Sequence, residues 1–89
     1  MSEALPRPSL ALTLYTRETC PLCTELRAEL DAWNAGRYTL LVDYVDVDDD
    51  PALTTRYGER VPVLATDDGE ELCAGHFDAS ALAALAATA

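Results

Sequence analysis

An apolar run, Leu10 to Tyr15, gives way after four residues to Cys20-Pro21 and then to an amphipathic stripe, and few folds accommodate that junction. The run is apolar on both alternating faces, as in a central strand covered from both sides. Proline suits the first position of a helix, where its missing N–H has no intrahelical partner to lose. Leu22, Leu26, Leu30 and Trp33 recur at spacings of four, four and three, one stripe of a helix predicted over residues 21–35. Gly36 stands just past its end, where a left-handed cap residue belongs. Leu40 to Val47 reads as a second strand. Strand, helix and strand in this order, with a crossover of this length, predict a parallel pair with a right-handed connection.

The remaining chain continues in short elements. Asp49 or Asp50 caps a short helix that has Pro51 in its first turn and ends near Gly58. Val61 to Thr66 and Glu70 to Cys73 are two strands joined by Asp67-Asp68-Gly69, a strong hairpin signal. From Asp78, an N-cap, an alanine-rich helix with Leu82 and Leu85 runs to the end. The predicted order is βαβαββα: an α/β fold with a four-stranded mixed sheet and helices on both faces. No repeat, linker or low-complexity segment divides residues 9–89, which read as a single domain behind a short loose arm, Met1 to Pro8.

Composition narrows the function classes. At 89 residues the chain is near the lower end of what one core supports. No apolar stretch approaches the ~20 residues that span a bilayer, and the N-terminus lacks the pattern of a secretory signal, so the expected compartment is the cytoplasm. Sixteen acidic residues against six basic ones give a formal charge of −10, which repels phosphate backbones and anionic membranes and favours a monomer. There is no basic patch, so neither nucleic acid nor membrane is an expected partner. Three cysteines cannot all pair within the chain. In a reducing compartment a close pair points to catalysis or metal binding.

Cys20-Pro21-Leu22-Cys23 sits where strand meets helix, and two consequences follow. Cys20 is at the helix start, where free N–H groups and the helix dipole favour a thiolate; cysteines so placed can fall from about 8.5 into the range of about 3.5–7.5. Three residues on, Cys23 returns to the same side of the helix and can close a disulfide, but is more buried. Cys20 is therefore the expected attacking thiolate, with Cys23 resolving the mixed disulfide. Arg17, in the same loop, either adds positive charge beside the thiolate or is a solvated loop residue.

Leu14 through Cys23 resembles the active-site segment of glutaredoxins: a strand, a short basic loop, then C-P-x-C. Tyr57-Gly58-Glu59-Arg60-Val61-Pro62-Val63-Leu64 resembles their cis-proline segment, and Ala74-Gly75-His76-Phe77-Asp78 the Gly-Gly-x-x-Asp turn before their last helix. The three occur in the family's order and at about its spacing, across nearly the whole chain. The resemblance implies a thioredoxin fold and thiol–disulfide oxidoreductase activity on protein or low-molecular-weight disulfides. No permanently bound cofactor is implied; the family's usual co-substrate is glutathione, and the partner here is glutathione or a protein. It also implies that Pro62 is cis and lies opposite Cys20, that the Val61 backbone pairs with a bound thiol substrate, and that Arg17, Gly75 and Asp78 hold glutathione. Leu22, Ala74 and Phe77 depart from the family pattern, and the segment before Val61-Pro62 is one residue short. With these departures the chain resembles the divergent small bacterial glutaredoxin-like proteins, and the resemblance supports the fold more than glutathione dependence.

Other chemistries compete for the same residues. Cys20, Cys23, Cys73 and His76 form a C-x₂-C…C-x₂-H set acceptable to tetrahedral zinc. Against it, an amphipathic helix follows Cys23, and the 49 residues between Cys23 and Cys73 exceed finger spacing. Asp46 to Asp50 fails as a calcium loop, because Pro51 and Tyr57 stand where Gly and Glu are required; those aspartates read as strand exit and helix cap. His76 reads as a loop residue or as an acid–base assistant to thiol exchange. Cys73 reads as a small buried hydrophobe and Trp33 as core. A non-enzymatic interaction module on the same fold is the third class, and the intact cysteine pair argues against it.

Overall fold

A computed structural model describes residues 8–88, which form β1 (Ser9–Thr16), α1 (Pro21–Asn34), β2 (Thr39–Asp46), a 3₁₀ turn (Val47–Asp49), α2 (Pro51–Tyr57), β3 (Val63–Thr66), β4 (Glu71–Ala74) and α3 (Ala79–Ala87). The strands lie in the order β2-β1-β3-β4. β1 and β2 are parallel, while β3 runs antiparallel to both β1 and β4. This is the predicted α/β, four-stranded mixed sheet. Of the expected N-terminal arm only Pro8 falls within the described residues, and its carbonyl accepts a hydrogen bond from the Thr39 N–H.

Alternation along the strands sorts the core into two layers. Leu10, Leu12, Leu14 and Leu64 point to one face, where they pack with Leu26 and Leu30 of α1 and Leu82 of α3. Val63 points to the other face and packs with Val47 and Tyr57, joined by Tyr15 and Leu53. Helices therefore lie on both faces, but unequally. α2 has only seven residues and covers the end of the sheet near Tyr15, so Ala11 and Thr13 stay half-buried and Leu41 exposed. The expectation of a β1 run covered from both sides holds fully only at that end.

Two details of α1 differ from the periodicity reading. Leu22 is not part of the buried stripe: it is half exposed, and Cys23, Leu26, Leu30 and Asn34 form the buried row. Cys23, three residues before Leu26, takes the inward position of the first turn in its place. The helix also ends one residue early. Ala35 takes the left-handed cap at φ 46°, with its N–H on the Asp31 carbonyl, and Gly36 follows with φ 78°. Trp33 is core as expected, stacked with Tyr38 at 6.0 Å. The hairpin closes at Asp67-Asp68-Gly69, with Gly69 at φ 100° and its N–H on the Thr66 carbonyl. Asp50 caps α2, and Asp46 caps the 3₁₀ turn, the capping role expected of this acidic run.

Candidate active site

The cysteine pair occupies the junction between β1 and α1. Cys20 is the N-cap residue of α1, in extended backbone, and its sulfur accepts a hydrogen bond of 3.1 Å from the Cys23 N–H. A sulfur has thus taken the place that Ser or Asp usually fills at a helix start. Cys20 and Cys23 are joined as a disulfide, with S–S 2.13 Å and Cα–Cα 5.3 Å. Cys23 is buried and Cys20 more open, the asymmetry expected of a resolving and an attacking thiol. No acidic side chain lies in the first turn of α1, so no carboxylate competes for the positive end of the helix.

The loop that carries the pair is held tightly. Thr19 sits in left-handed backbone at φ 54°, a conformation that is strained for a β-branched residue. Arg17 makes a bidentate contact with Asp48, through Nε and Nη2 at 2.9 Å each, and its Nη1 donates to the Gly58 carbonyl at 3.0 Å. One guanidinium thereby joins the dithiol loop, the turn after β2 and the end of α2. The hydrogen bonds from Arg17 hold the Asp48 carboxyl below its ordinary range. The Gly58 position is crowded: a Cβ there would stand 2.5 Å from the Thr54 carbonyl oxygen and 3.1 Å from Arg17 Nη2.

Strand register assembles the other expected residues at the same end of the sheet. Tyr15 pairs with Val63, and Val63 with Ala74, so Pro62 and Gly75 lie beside the chain leaving β1 for Cys20. The Val61–Pro62 peptide bond is cis, and the Gly75 N–H donates to the Pro62 carbonyl at 2.7 Å. Gly75 needs its glycine, at φ 82°. Asp78 caps α3, accepting from the N–H groups of Ser80 and Ala81 and from the Ser80 hydroxyl. Those bonds, with His76 nearby, lower its carboxyl from the usual value. His76 itself is exposed. Phe77, bulky for its place, packs against the core and faces Trp33 at 6.5 Å.

Among the described residues no three His, Cys, Asp or Glu side chains come together as metal ligands. The sulfurs of Cys20 and Cys23 are bonded to each other, and Cys73 lies half-buried in β4, where burial raises its thiol. Sequence reasoning missed Asp48 as the partner of Arg17, a contact across 31 positions that no local pattern signals. It also missed a groove of about 770 Å³ between α1 and β2, reaching from Cys20 and Cys23 to Arg27, Asp31 and Tyr44. Only the Arg27–Asp31 pair, four apart on a helix, had a visible spacing.

A parallel β1–β2 pair, an antiparallel β3–β4 hairpin and helices on both faces are the thioredoxin fold in its small, glutaredoxin-like form. Within that class the chain belongs to the glutaredoxin-like domain family (DUF836), whose sequence model matches residues 11–85. Among solved structures it is similar to protein XcR50 of X. campestris, known from an X-ray structure. Identity there is 42%, with 89% of this chain and 99% of that chain covered and a TM-score of 0.63. Protein Ne2328 of Nitrosomonas europaea, known from a solution structure, is 30% identical over 96% of this chain and 98% of that one, with a TM-score of 0.72. No curated protein matches the sequence significantly.

Proposed function

We propose that this chain is a thiol–disulfide oxidoreductase acting through Cys20 and Cys23. One observation carries the reading: the two sulfurs are within bonding distance at a helix N-terminus, where the Cys23 N–H already points at Cys20 Sγ. In the reduced protein that N–H and the helix dipole favour the Cys20 thiolate. The thiolate attacks one sulfur of a substrate disulfide, forming a Cys20–substrate mixed disulfide and releasing the other substrate sulfur as thiolate. Cys23, deprotonated, then attacks Cys20 Sγ, closes the intramolecular disulfide and releases the second thiolate. A thiol reductant returns the pair to the dithiol by the reverse exchange. The reading suits a monomer in a reducing compartment such as the cytoplasm.

Substrate backbone is proposed to lie against Val61 and Pro62, with Gly75 and Asp78 beside it. Glutathione is the candidate co-substrate, but Arg17, which would meet one of its carboxylates, already pairs with Asp48. A protein disulfide therefore fits the site better. The zinc reading loses its support, since the four proposed ligands do not converge among the described residues.

The test combines redox equilibration with trapping. Equilibrated across a series of thiol–disulfide buffers, the wild-type chain interconverts between dithiol and disulfide, read by mass after alkylation. Cys23→Ser accumulates a mixed disulfide on Cys20. A Cys20–Cys23 pair that stays reduced across the physiological range of potentials overturns the proposal.

A further inference from the structure

We infer that Asp48 is a positioning residue of the thiol exchange: through Arg17 it holds the Cys20 loop in place beside the Val61–Pro62 segment, against which substrate backbone is proposed to lie. This rests on the oxidoreductase reading above. Exchange requires the attacking sulfur to approach the substrate disulfide along its S–S axis, so Cys20 and the substrate backbone must be fixed relative to one another. The sheet stops short of doing this. Tyr15–Val63 is the last pair that joins β1 to β3. Arg17 to Cys20 follow the end of β1, and Val61 and Pro62 precede the start of β3. Among the described residues one hydrogen bond links residues 17–20 to residues 58–62: Arg17 Nη1 donates to the Gly58 carbonyl at 3.0 Å.

A single bond from a long side chain would not keep two loops in register, and Asp48 supplies the missing constraint. Its carboxylate oxygens accept from Nε and Nη2 at 2.9 Å each, which fixes the plane of the guanidinium and leaves Nη1 aimed at Gly58. Asp48 is itself held from behind. Its N–H donates to the Asp46 carboxylate at 2.9 Å, and the Thr54 hydroxyl of α2 donates to the Val47 carbonyl at 2.6 Å. Val47 is fully buried and packs with Tyr57 of α2 and Val63 of β3. The fork therefore carries the position of the core to the dithiol loop.

Three observations favour placement over a contribution to stability or to charge. The side chains of Arg17 and Asp48 are 37% and 47% exposed, and an ion pair so open to water adds little to stability. The charge of Arg17 is matched where it stands, by Asp48 in contact and by Asp46 and Glu59 nearby, so little of it is left for the Cys20 sulfur. Thr19, between Arg17 and Cys20, is strained at φ 54°, and such a conformation persists only where the chain is fixed on both sides. α1 fixes the Cys20 side, and Arg17 fixes the other.

The experiment uses the reduced full chain, its Asp48→Asn and Arg17→Lys variants, and the double variant. Asn keeps one acceptor oxygen but turns an amide donor toward the other arm of the fork. Lys keeps the charge but loses the planar fork that meets Asp48 and Gly58 together. Two rates are read at Cys20 in each protein. Alkylation by iodoacetamide, mapped by peptide mass, needs only the thiolate. The second rate is exchange with a short peptide whose single cysteine is joined to nitrothiobenzoate. Cys20 attacks the peptide sulfur and expels nitrothiobenzoate as a coloured thiolate; Cys23 then attacks Cys20 Sγ, leaving the protein as the disulfide and the peptide as a thiol. In both single variants the ratio of exchange to alkylation falls about tenfold, short of the ~100-fold that a misplacement of ~1 Å can cost. The double variant falls no further, because the two residues act as one unit. Were Arg17 to serve the Cys20 thiolate by its charge, Arg17→Lys would keep the wild-type ratio and Asp48→Asn would speed alkylation. That pattern, a ratio unchanged in both single variants, a double variant lower than either, or loss of the folded state in a single variant overturns this inference alone. Wild-type Cys20 that alkylates but expels no nitrothiobenzoate overturns the oxidoreductase reading, and the positioning role with it.

Discussion

Replacing Gly58 by Ala sets two effects of opposite sign against each other. Gly58 has helical backbone, φ −53° and ψ −39°, so by conformational preference alone Ala is the better residue there, by about 0.5–1 kcal/mol. Space says the reverse. The new Cβ would stand 2.5 Å from the Thr54 carbonyl oxygen, about 0.9 Å inside the 3.4 Å where ordinary contact begins. That oxygen is backbone, and it already accepts from the Gly58 N–H at 2.9 Å, so it cannot swing aside. Arg17 Nη2, at 3.1 Å, is the second obstacle. Overpacking of this kind typically costs about 1–3 kcal/mol, so the clash wins and the variant loses about 1 kcal/mol net. With an m-value of about 1 kcal/mol/M for so small a domain, the urea midpoint falls by about 1 M at unchanged slope. Because the new Cβ also crowds Arg17 Nη2, whose guanidinium donates to the Gly58 carbonyl, the dithiol loop loosens as well, and amide exchange at residues 17–20 quickens. A Gly58→Ala protein as stable as the wild type, or more so, would refute the steric reasoning.

Three further outcomes follow from the same geometry. Thr19→Gly raises the thermal midpoint by a few degrees, because relief of about 1–2 kcal/mol of left-handed strain exceeds the 0.5–1 kcal/mol conferred on the unfolded chain by glycine; a lower midpoint counts against strain at that residue. Asp78 has a folded pKa below its unfolded one, so its capping contribution is complete above the unfolded value near 3.9 and disappears as pH falls through the lower folded value. Asp78→Asn keeps the cap and flattens that acid-side dependence, measured as thermal midpoint against pH, and an unchanged pH profile would remove Asp78 from the account. In the reduced protein at neutral pH, iodoacetamide modifies Cys20 well before Cys73, whose thiol is raised by burial, as peptide mass mapping will read; equal labelling contradicts the assignment.

Local chemistry was legible in the sequence, and distance was not. Pro21 after Cys20 announced the helix start, Asp78 announced the last cap, and Asp67-Asp68-Gly69 announced the hairpin, because each is settled within a few residues by backbone requirements. The parallel pairing of β1 with β2 followed from the length of the crossover. Leu22 was misplaced because repeated spacings of four drift off a period of 3.6 residues, and Cys23, three before Leu26, takes the inward position instead. Val61 and Pro62 were assigned to a strand that begins only at Val63. The Arg17–Asp48 contact and the groove beside Tyr44 depend on which strands become neighbours. Those belong to the assembled sheet and leave no periodic trace.

The ring closed by the Cys20–Cys23 bond holds only four residues, at a sequence separation of three. In the chain-entropy account such a ring restrains the unfolded chain by about 2 kcal/mol, against about 3 kcal/mol for a fifteen-residue loop. The core leucines, the hairpin and the N-caps of α2 and α3 lie outside it. Opening the bond therefore releases little of the constraint that keeps the fold together, and on the proposed oxidoreductase reading the domain passes through oxidation and reduction as the same folded object. A bond proposed as the working part of a protein is best placed where the architecture depends on it least, and the head of α1 is such a place.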